Sequence, residues 1–339
     1  MPETNREWRL ARRPKGTARP DDFQFVPNGG MPGPIQDGEL LVKNHAFLCA
    51  PTIRNWMDPP GNSLYPSIGI GELLFGPAAA VVVESAHPRF SPGDLLATFS
   101  TWQDYALVRP DEVMTRVLPE GHSLLEGVGV FGLNSLTGYF GMRDIGAIQP
   151  GESVLVSGAA GSAGSIAAQV AKHGGCRVVG IAGGPEKCQW LMDDCGLDAV
   201  IDYRGEDLRE RIAALFPDGV NVFFDNVGGA VLQAAVDNMA PFGRIVLCGQ
   251  IASYNEGLSP EGPRNMMRLI YGGVRMQGFL VNHFEDRFNE ALRDLTTWER
   301  NGQLHHREDV REGFENLPTA FNSVFDGSNR GTLIVALQN

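Results

Sequence analysis

The sequence has few cysteines, no long apolar run and no excess of basic residues. Its five cysteines among 339 residues are scattered without a C-x-x-C pair, so the pattern favours neither a disulfide framework nor a zinc knuckle. We expect the cytoplasm as the compartment, and a buried packing role for Cys49 rather than that of a nucleophile or metal ligand. No run approaches the ~18 apolar residues that a membrane-spanning helix needs, and the N-terminus lacks the apolar core of a secretory signal. We therefore expect no membrane association.

The formal net charge is −12, which is unfavourable for binding phosphate backbones without sequence specificity. The basic cluster of Arg6, Arg9, Arg12 and Arg13 near the N-terminus is accordingly interpreted as part of a solvated leading strand and not as a nucleic-acid patch. The sequence thus predicts no nucleic-acid partner.

The chain changes texture twice along its length. Residues 1–130 are rich in Pro and Gly with short apolar bursts, which predicts a β-rich, barrel-like domain. Residues 131–301 alternate between strand-like and helix-like patterns, which predicts an α/β domain with a doubly wound parallel sheet covered on both faces. Residues 302–339 contain "ENLPTAFNSVFDG" and "GTLIVAL", a predicted helix and strand that we expect to complete the first domain.

Six strands are predicted in the α/β part of the chain, and helical stretches separate most of them. The predicted strands are Ser153–Ser157, Arg177–Ala182, Ala199–Asp202, Asn221–Asp225, Arg244–Cys248 and Arg275–Val281.

A glycine-rich loop lies between the first of these strands and an amphipathic helix. Ala159, Gly161 and Gly164 form A-x-G-x-x-G, in which Gly161 allows a pyrophosphate to approach the backbone and Gly164 allows the helix to pack on the strand. A glycine motif alone is weak evidence, but this one follows a strand, opens a helix and begins a series of βα units. The sequence therefore predicts dinucleotide binding by a loop of Ala160, Gly161, Ser162, Ala163 and Gly164.

The second strand of this unit ends in "VVGIAGGPEK", which carries no acid at its tip. A cofactor with a free ribose 2′-hydroxyl is usually held by Asp or Glu ~20 residues past the glycines. Here Ala182, Gly183 and Gly184 occupy that place, and Lys187 follows within one helical turn. Without a carboxylate to repel a 2′-phosphate, and with a lysine to attract it, the pattern favours NADP(H). Lys187 could also be an ordinary solvated lysine, but the missing acid favours the phosphate-binding role.

Several motifs resemble those of zinc-independent medium-chain dehydrogenases/reductases, in the branch of prostaglandin reductase, plant alkenal double-bond reductase and bacterial curcumin reductase. They include "SGAAGSAG", "DNVGG", "CGQIASYN" and "MQGFLV", and the likeness extends to "NREWRLARRPKG" and "GSNRGTLIV". The resemblance implies a GroES-like domain, a Rossmann domain and NADPH-dependent reduction of the C=C bond of α,β-unsaturated aldehydes and ketones. It also implies a small-molecule activated alkene as substrate and a homodimer.

The same resemblance implies roles for individual residues. Lys187 and Tyr203 match contacts to the 2′-phosphate, and Tyr254 matches a tyrosine near the reacting carbonyl and the nicotinamide ribose. The positions that match other cofactor-lining residues are Asn226, Cys248, Gly249, Tyr254, Phe279, Val281 and Asn329. Gly183, at the tip of the second strand, is a further predicted cofactor residue.

The first domain departs from this family where the substrate pocket is expected. The family's D-P-Y-M-R is replaced by "APTIR", residues 50–54, and its "RGGG" by "FGPA", residues 75–78, so the substrate preference is not carried over. The candidate pocket residues are Thr52, Arg54, Trp102 and Tyr139.

No metal-ligand pattern accompanies these motifs. There is no G-H-E stretch and no set of four closely spaced cysteines, and the histidines, including His45, His87, His122, His305 and His306, have no partner-ligand pattern. Without a metal, a hydroxyl donor must stabilise the enolate oxygen that forms when a hydride reaches the β-carbon, and Tyr254 is the candidate. Two alternatives remain open from the residues: a zinc-free carbonyl or quinone reductase, and a non-catalytic NADPH-binding protein.

Overall fold

The computed structural model describes residues 4–61, 66–255 and 262–337. The chain forms two compact units, one of Met1–Gly132 with Glu308–Asn339 and the other of Leu133–Arg307. The strands are β1 (Asn5–Leu10), β2 (Phe23–Gly29), β3 (Leu40–Leu48), β4 (Phe75–Ser85), β5 (Leu95–Thr101), β6 (Tyr105–Val108), β7 (Arg116–Val117), β8 (Ser153–Val156), β9 (Arg177–Ala182), β10 (Ala199–Asp202), β11 (Val220–Asp225), β12 (Met239–Leu247), β13 (Arg275–Gly278), β14 (Glu308–Glu312) and β15 (Thr332–Ala336). The α-helices are α1 (Ile53–Trp56), α2 (Leu124–Val128), α3 (Leu133–Phe140), α4 (Ser162–His173), α5 (Pro185–Asp193), α6 (Leu208–Leu215), α7 (Gly229–Asp237), α8 (Met267–Gly272), α9 (Phe288–Arg300) and α10 (Leu317–Asp326).

The first unit is mainly antiparallel β-structure. A seven-stranded sheet has the order β14-β15-β3-β4-β5-β7, with β6 also paired to β3, and β1 and β2 form a separate antiparallel pair. β14 and β15 pair in parallel, so the C-terminal part of the chain adds two strands to a sheet begun by β3. Phe47, Trp102, Phe314 and Phe321 are fully buried in its core. The C-terminal helix and strand expected to complete this unit correspond to α10 and β15.

The second unit is a six-stranded parallel sheet in the order β10-β9-β8-β11-β12-β13. The central strands β8 and β11 are buried, as expected when helices cover both faces of a parallel sheet. The chain runs outward from β8 to β10, returns to place β11 beside β8, and continues to β13. The strand order therefore reverses between β8 and β11, where α/β proteins of this type bind dinucleotides at the carboxyl ends of the strands.

Four of the six predicted strands differ in bounds from those observed, two of them, β8 and β11, by a single residue. The strand predicted to begin at Arg244 begins at Met239, and the strand predicted to continue to Val281 ends at Gly278 and is followed by a 3₁₀ helix, Val281–Arg287. The first difference includes Pro241 and Gly243, which are unfavourable in strands and masked the start of β12. Among the described helices, none is both long and apolar enough to cross a bilayer.

Candidate functional site

The glycine-rich loop forms a cradle between β8 and α4. Gly158 has a φ of +57°, which a residue with a side chain adopts only under strain, and a methyl group at Gly164 would overlap the Gly158 carbonyl oxygen. Gly161 is the N-cap residue of α4 and brings no side-chain acceptor to the first-turn amides. A helix N-terminus left without a side-chain cap suits an anion, and the missing Cβ atoms leave room for it. The loop therefore fits a pyrophosphate.

A buried hydrogen-bond network joins the carboxyl ends of the two central strands. The Ser157 hydroxyl, just after β8, donates to Asp225 Oδ1 at 2.8 Å and accepts from the Asn226 amide at 2.8 Å. Asn226 Nδ2 in turn donates to the Ser157 carbonyl oxygen at 2.7 Å. The network fixes the orientation of the Asn226 side chain at the point where the strand order reverses.

The Asp225 carboxylate is completely buried and organises the turn after β11. Burial raises its pKa, while hydrogen bonds from the Val227 and Gly228 amides and from Ser157 act in the opposite direction. Neither Ser157 nor Asp225 was among the predicted site residues, because a buried Ser–Asp pair at two strand tips has no local sequence signal.

The tips of β9 and β10 form a second polar cluster. The ring of Tyr203 lies against Gly183, where a Cβ would come within 2.7 Å of it, and 49% of Tyr203 is exposed. Lys187 is in the first turn of α5 and half-buried. The two residues matched to the 2′-phosphate thus lie on elements that follow neighbouring strand tips.

The tip of β9 carries no acid, as the sequence shows, but the neighbouring strand brings a carboxylate to this cluster. Asp202 is the last residue of β10 and is in register with Ala182, the last residue of β9. Its Oδ1 accepts hydrogen bonds from the Gly184 and Arg204 amides, each at 3.0 Å. The strand Ala199–Asp202 was predicted correctly, and the carboxyl ends of neighbouring parallel strands meet at one edge, so this signal was available in the sequence.

The loop after β12 positions Tyr254. The Cys248 and Gly249 amides donate to the Asp225 carbonyl oxygen at 2.9 and 3.0 Å, which attaches this loop to the tip of β11. The Gln250 amide donates to Tyr254 Oη at 3.1 Å, and a Cβ on Gly249 would lie 3.3 Å from the same oxygen. The tyrosine hydroxyl is therefore the acceptor in this bond and is held beside Gly249. Burial, with a smaller contribution from Asp225, raises the pKa of Cys248 to about 12.

Phe279 and Val281 follow β13 at the same edge of the sheet. The Phe279 ring lies beside Gly141, where a Cβ would come within 2.6 Å of it, and packs edge-on against Phe284. Val281 is buried. The second unit thus carries most of the predicted cofactor residues. They are those of the glycine loop and, beyond it, Gly183, Lys187, Tyr203, Asn226, Cys248, Gly249, Tyr254, Phe279 and Val281.

The remaining predicted residues have structural contacts within their own units. Trp102 is buried against Phe47 and Phe321 in the first unit, and the Tyr139 hydroxyl donates to Asp294 at 2.6 Å in the second. Burial, together with Asp294, raises the Tyr139 pKa well above its usual range. Their role as substrate contacts stays a prediction.

Arg54 is 1% exposed and donates to the carbonyl oxygens of Pro14 and Gly16 and to Asp58. Thr52 is half-buried at the start of α1, and the Asn329 amide donates to the Gly331 carbonyl oxygen at 2.8 Å. Arg54 thus secures the loop after β1. The assignment of Thr52 and Arg54 to the substrate, and of Asn329 to the cofactor, stays a prediction.

The sequence suggested that the four N-terminal arginines belong to a solvated strand. In the structure, each of them also binds other groups of the first unit. Each is bound to neighbouring parts of the first unit: Arg6 to Asp104 and Glu315, Arg9 to Glu7, Arg12 to Asp22, and Arg13 to the carbonyl oxygens of Met57 and Asp58. Their charges therefore form ion pairs and hydrogen bonds within the first unit.

Two of the histidines make ordinary structural contacts. His87 is buried and bonds Asp111 at 3.2 Å, and His173 stacks on Trp298. Within the described ranges, no group of three or more His, Cys, Asp or Glu side chains could hold a metal ion.

Comparison with known proteins gives matches over nearly the whole chain. A family model described as "Zinc-binding dehydrogenase" matches residues 163–297, and one described as "N-terminal domain of oxidoreductase" matches residues 6–116. The NADPH-dependent curcumin reductase of Escherichia coli (strain K12) is 33% identical over 98% of this chain and 97% of its own. Prostaglandin reductase 1 of Bos taurus is 36% identical over 97% of this chain and 98% of its own. The crystal structure of CurA in complex with NADPH from Vibrio vulnificus superimposes with a TM-score of 0.90 and 34% identity, over 98% of this chain and 99% of that one.

Proposed function

Since this chain belongs to the prostaglandin reductase, alkenal double-bond reductase and curcumin reductase branch of the zinc-independent medium-chain dehydrogenases/reductases, we propose that it reduces the C=C bond of an α,β-unsaturated aldehyde or ketone. It is an NADP-dependent oxidoreductase, and the substrate is a small molecule with an activated alkene. NADPH supplies a hydride to the β-carbon of such a substrate, and a proton from solvent completes the reduction at the α-carbon.

Different residues of the second unit bind different parts of the cofactor. The cradle of Gly161 to Gly164 holds the pyrophosphate with the amides of α4. Lys187 and Tyr203 bind the 2′-phosphate, with a charge in the first case and a hydroxyl in the second. The cofactor is lined further by Asn226, Cys248, Gly249, Phe279 and Val281, and the role of Asn329 stays the prediction made from the sequence.

The observation that carries the proposed reaction is the Tyr254 hydroxyl, held beside Gly249 by the Gln250 amide. In that bond the amide donates and the hydroxyl accepts. The hydroxyl is the donor that stabilises the enolate oxygen formed when the β-carbon accepts the hydride, directly or through the ribose hydroxyl. A donor already in place needs no reorganisation as the charge develops.

The test is oxidation of NADPH, and separately of NADH, by the purified protein with a panel of small enones and enals and with a quinone. Products are identified by mass spectrometry and NMR. We expect a saturated product that keeps its carbonyl group, and a strong preference for NADPH. Formation of the allylic alcohol, or turnover of the quinone alone, would instead indicate a carbonyl or quinone reductase.

A homodimer is the second part of the proposal. β13 is an end strand of the parallel sheet, and α8, which precedes it, buries none of its side chains. Ile270 and Tyr271 of α8 are 68% and 85% exposed, and Phe242 at the start of β12 is 79% exposed. An end strand beside exposed apolar side chains favours association, and a second copy offers the same strand in return.

All five cysteines are thiols, as is usual in a reducing compartment, and we propose the cytoplasm.

A further inference from the structure

The Asp202 carboxylate poses an electrostatic problem for a cofactor with a 2′-phosphate. It lies at the tip of β10, in register with the tip of β9, at the cluster to which we assign that phosphate. The Gly184 and Arg204 amides, which donate to it, hold its pKa below the usual range. It is therefore ionised at neutral pH, and an ionised carboxylate repels a phosphate.

The same carboxylate also shapes the cluster. By binding one amide from each side, it fixes the backbone after β9 relative to the backbone after β10. Gly183 precedes the first of these two amides in the chain, Tyr203 precedes the second, and the Tyr203 ring packs against Gly183. Asp202 thus holds the surface from which Tyr203 and Arg204 project.

The Arg204 guanidinium lies within this surface. Its Cζ is 5.9 Å from the centroid of the Tyr203 ring, and its Nη1 is 3.7 Å from the point where a Cβ of Gly184 would lie. Gly184 is the N-cap residue of α5, so the guanidinium lies near the end of a helix where negative charge is favoured. Across the described part of the chain, this guanidinium has neither a hydrogen bond nor an ion pair, and Tyr203 is its one ring contact.

We propose that Arg204 is a specificity-determining residue that binds the 2′-phosphate of NADPH together with Lys187 and Tyr203, and that Asp202 is the positioning residue that holds it there. The inference rests on the proposed function, because it takes NADPH as the cofactor. The positive charge of Arg204 offsets the negative charge of Asp202. The two backbone hydrogen bonds to Asp202 are therefore retained without repulsion of the phosphate. This explains how a chain with an acid at the strand tips can still prefer NADPH.

Binding of two nucleotides that differ only in the 2′-phosphate separates this role from general stability. The probes are adenosine 2′,5′-bisphosphate and adenosine 5′-monophosphate, titrated into the full chain by calorimetry. The variant is Arg204→Gln. The matched control is Arg300→Gln, which removes the same charge at the end of α9, beside the C-terminus of α4 and hence at the opposite edge of the sheet. Thermal melting of each variant checks folding.

We expect Arg204→Gln to weaken the bisphosphate about five- to tenfold and to leave the monophosphate unchanged, as for loss of one charge-assisted contact. Asp202→Asn keeps an oxygen acceptor for the amides but removes the charge, so it should bind the bisphosphate about two- to fivefold more tightly. Equal bisphosphate affinity of the Arg204 and Arg300 variants, in a protein that prefers the bisphosphate, would overturn this inference alone. A wild-type protein with no preference for the bisphosphate would overturn the cofactor assignment as well.

Discussion

The Ser157 hydroxyl donates a 2.8 Å hydrogen bond to the Asp225 carboxylate across the two central strands of the parallel sheet. Because this hydroxyl also accepts from the Asn226 amide, Ser157→Ala leaves a part-buried amide without its acceptor and the buried Asp225 carboxylate with one donor fewer. We expect a loss of about 1–3 kcal/mol in the free energy of unfolding, measured with urea. NADPH affinity, measured by fluorescence titration, should fall with it because the Asn226 backbone loses the hydrogen bond that fixes it between the two strand tips.

Ser165→Ala is the matched control for this prediction. Ser165 is also buried, and the one hydrogen bond that its hydroxyl donates among the described residues goes to the Ser162 carbonyl oxygen at 3.4 Å, a weak bond. Equal losses of stability for the two variants would show that the network between the strand tips adds nothing to an ordinary buried serine.

The two later glycines of the loop should respond differently to alanine. A methyl group at Gly164 would overlap the Gly158 carbonyl oxygen, so Gly164→Ala forces α4 away from the loop and should cost about 2–3 kcal/mol in the free energy of unfolding. A Cβ at Gly161 would lie 3.2 Å from the same oxygen, a tight but tolerable contact. Gly161→Ala should therefore remain folded and lose NADPH affinity, since its methyl group occupies the cradle.

Urea unfolding and NADPH titration of both variants test this division. The control is Gly33→Ala, at a position where an added Cβ meets nothing within 4 Å. The prediction is wrong if Gly161→Ala binds NADPH as tightly as the control, or if Gly164→Ala is as stable as Gly161→Ala.

The Cys248 thiol should be unreactive and should make stability depend on pH. Its pKa is raised to about 12 by burial, whereas an unfolded cysteine has a pKa near 8.5. Above about pH 8.5 the unfolded chain loses this proton and the folded chain keeps it, so stability falls as pH rises. For this group alone the loss is about 1 kcal/mol at pH 9.5.

Cys248→Ser removes the ionisable group, so its unfolding free energy should fall less than that of the wild type between pH 8 and pH 9.5. Mass spectrometry after brief iodoacetamide treatment at pH 8 should find Cys248 unmodified in the folded protein and modified in urea. Rapid labelling of Cys248 in the folded protein would contradict the assignment.

The parallel sheet was predictable because its strands are short runs, mostly of apolar residues, that alternate with helical stretches. Arg177–Ala182 and Ala199–Asp202 were predicted with the same bounds as β9 and β10, since a continuous apolar run between turn residues is typical of such strands. β14 was not predicted. Four of its five residues, Glu308–Glu312, are charged, and its strand conformation depends on pairing with β15, which lies some 20 residues further along the chain.

The candidate site was predictable where function depends on local backbone shape. The loop from Gly158 to Gly164 needs glycine for reasons that a strand–turn–helix pattern reveals. The roles of Ser157 and Asp225 were not recognised, because each depends on a partner from another strand, whereas Asp202 was overlooked although its strand was predicted correctly. The sequence alone does not distinguish an aspartate that accepts hydrogen bonds from two backbone amides from an aspartate that binds a ribose.

Tyr271→Asp should separate the proposed dimer into single chains. Tyr271 is 85% exposed in α8, and a carboxylate placed in an apolar interface would be buried without a partner. Light scattering after size-exclusion chromatography should give the mass of two chains for the wild type and of one for the variant. Ile70→Asp, at a 63% exposed position in the first unit, is the control and should remain dimeric. A wild-type mass of one chain would refute the dimer.

Tyr254→Phe tests the proposed enolate stabilisation. The variant keeps the ring and loses the hydroxyl that accepts from the Gln250 amide. We expect kcat for enone reduction to fall about 100-fold, the lower end of what a positioned proton donor contributes. The NADPH dissociation constant should change by no more than a few-fold, because the hydroxyl acts mainly when charge develops on the substrate oxygen.

Tyr105→Phe, which removes a hydroxyl from β6 of the first unit, is the matched control. A merely structural Tyr254 would move stability and cofactor binding along with kcat, whereas a donor acting on the enolate lowers kcat and leaves both nearly unchanged. Steady-state kinetics, NADPH titration and thermal melting of the same preparation distinguish the two. Full activity of Tyr254→Phe would remove this residue from the mechanism and leave the enolate to be stabilised by another donor.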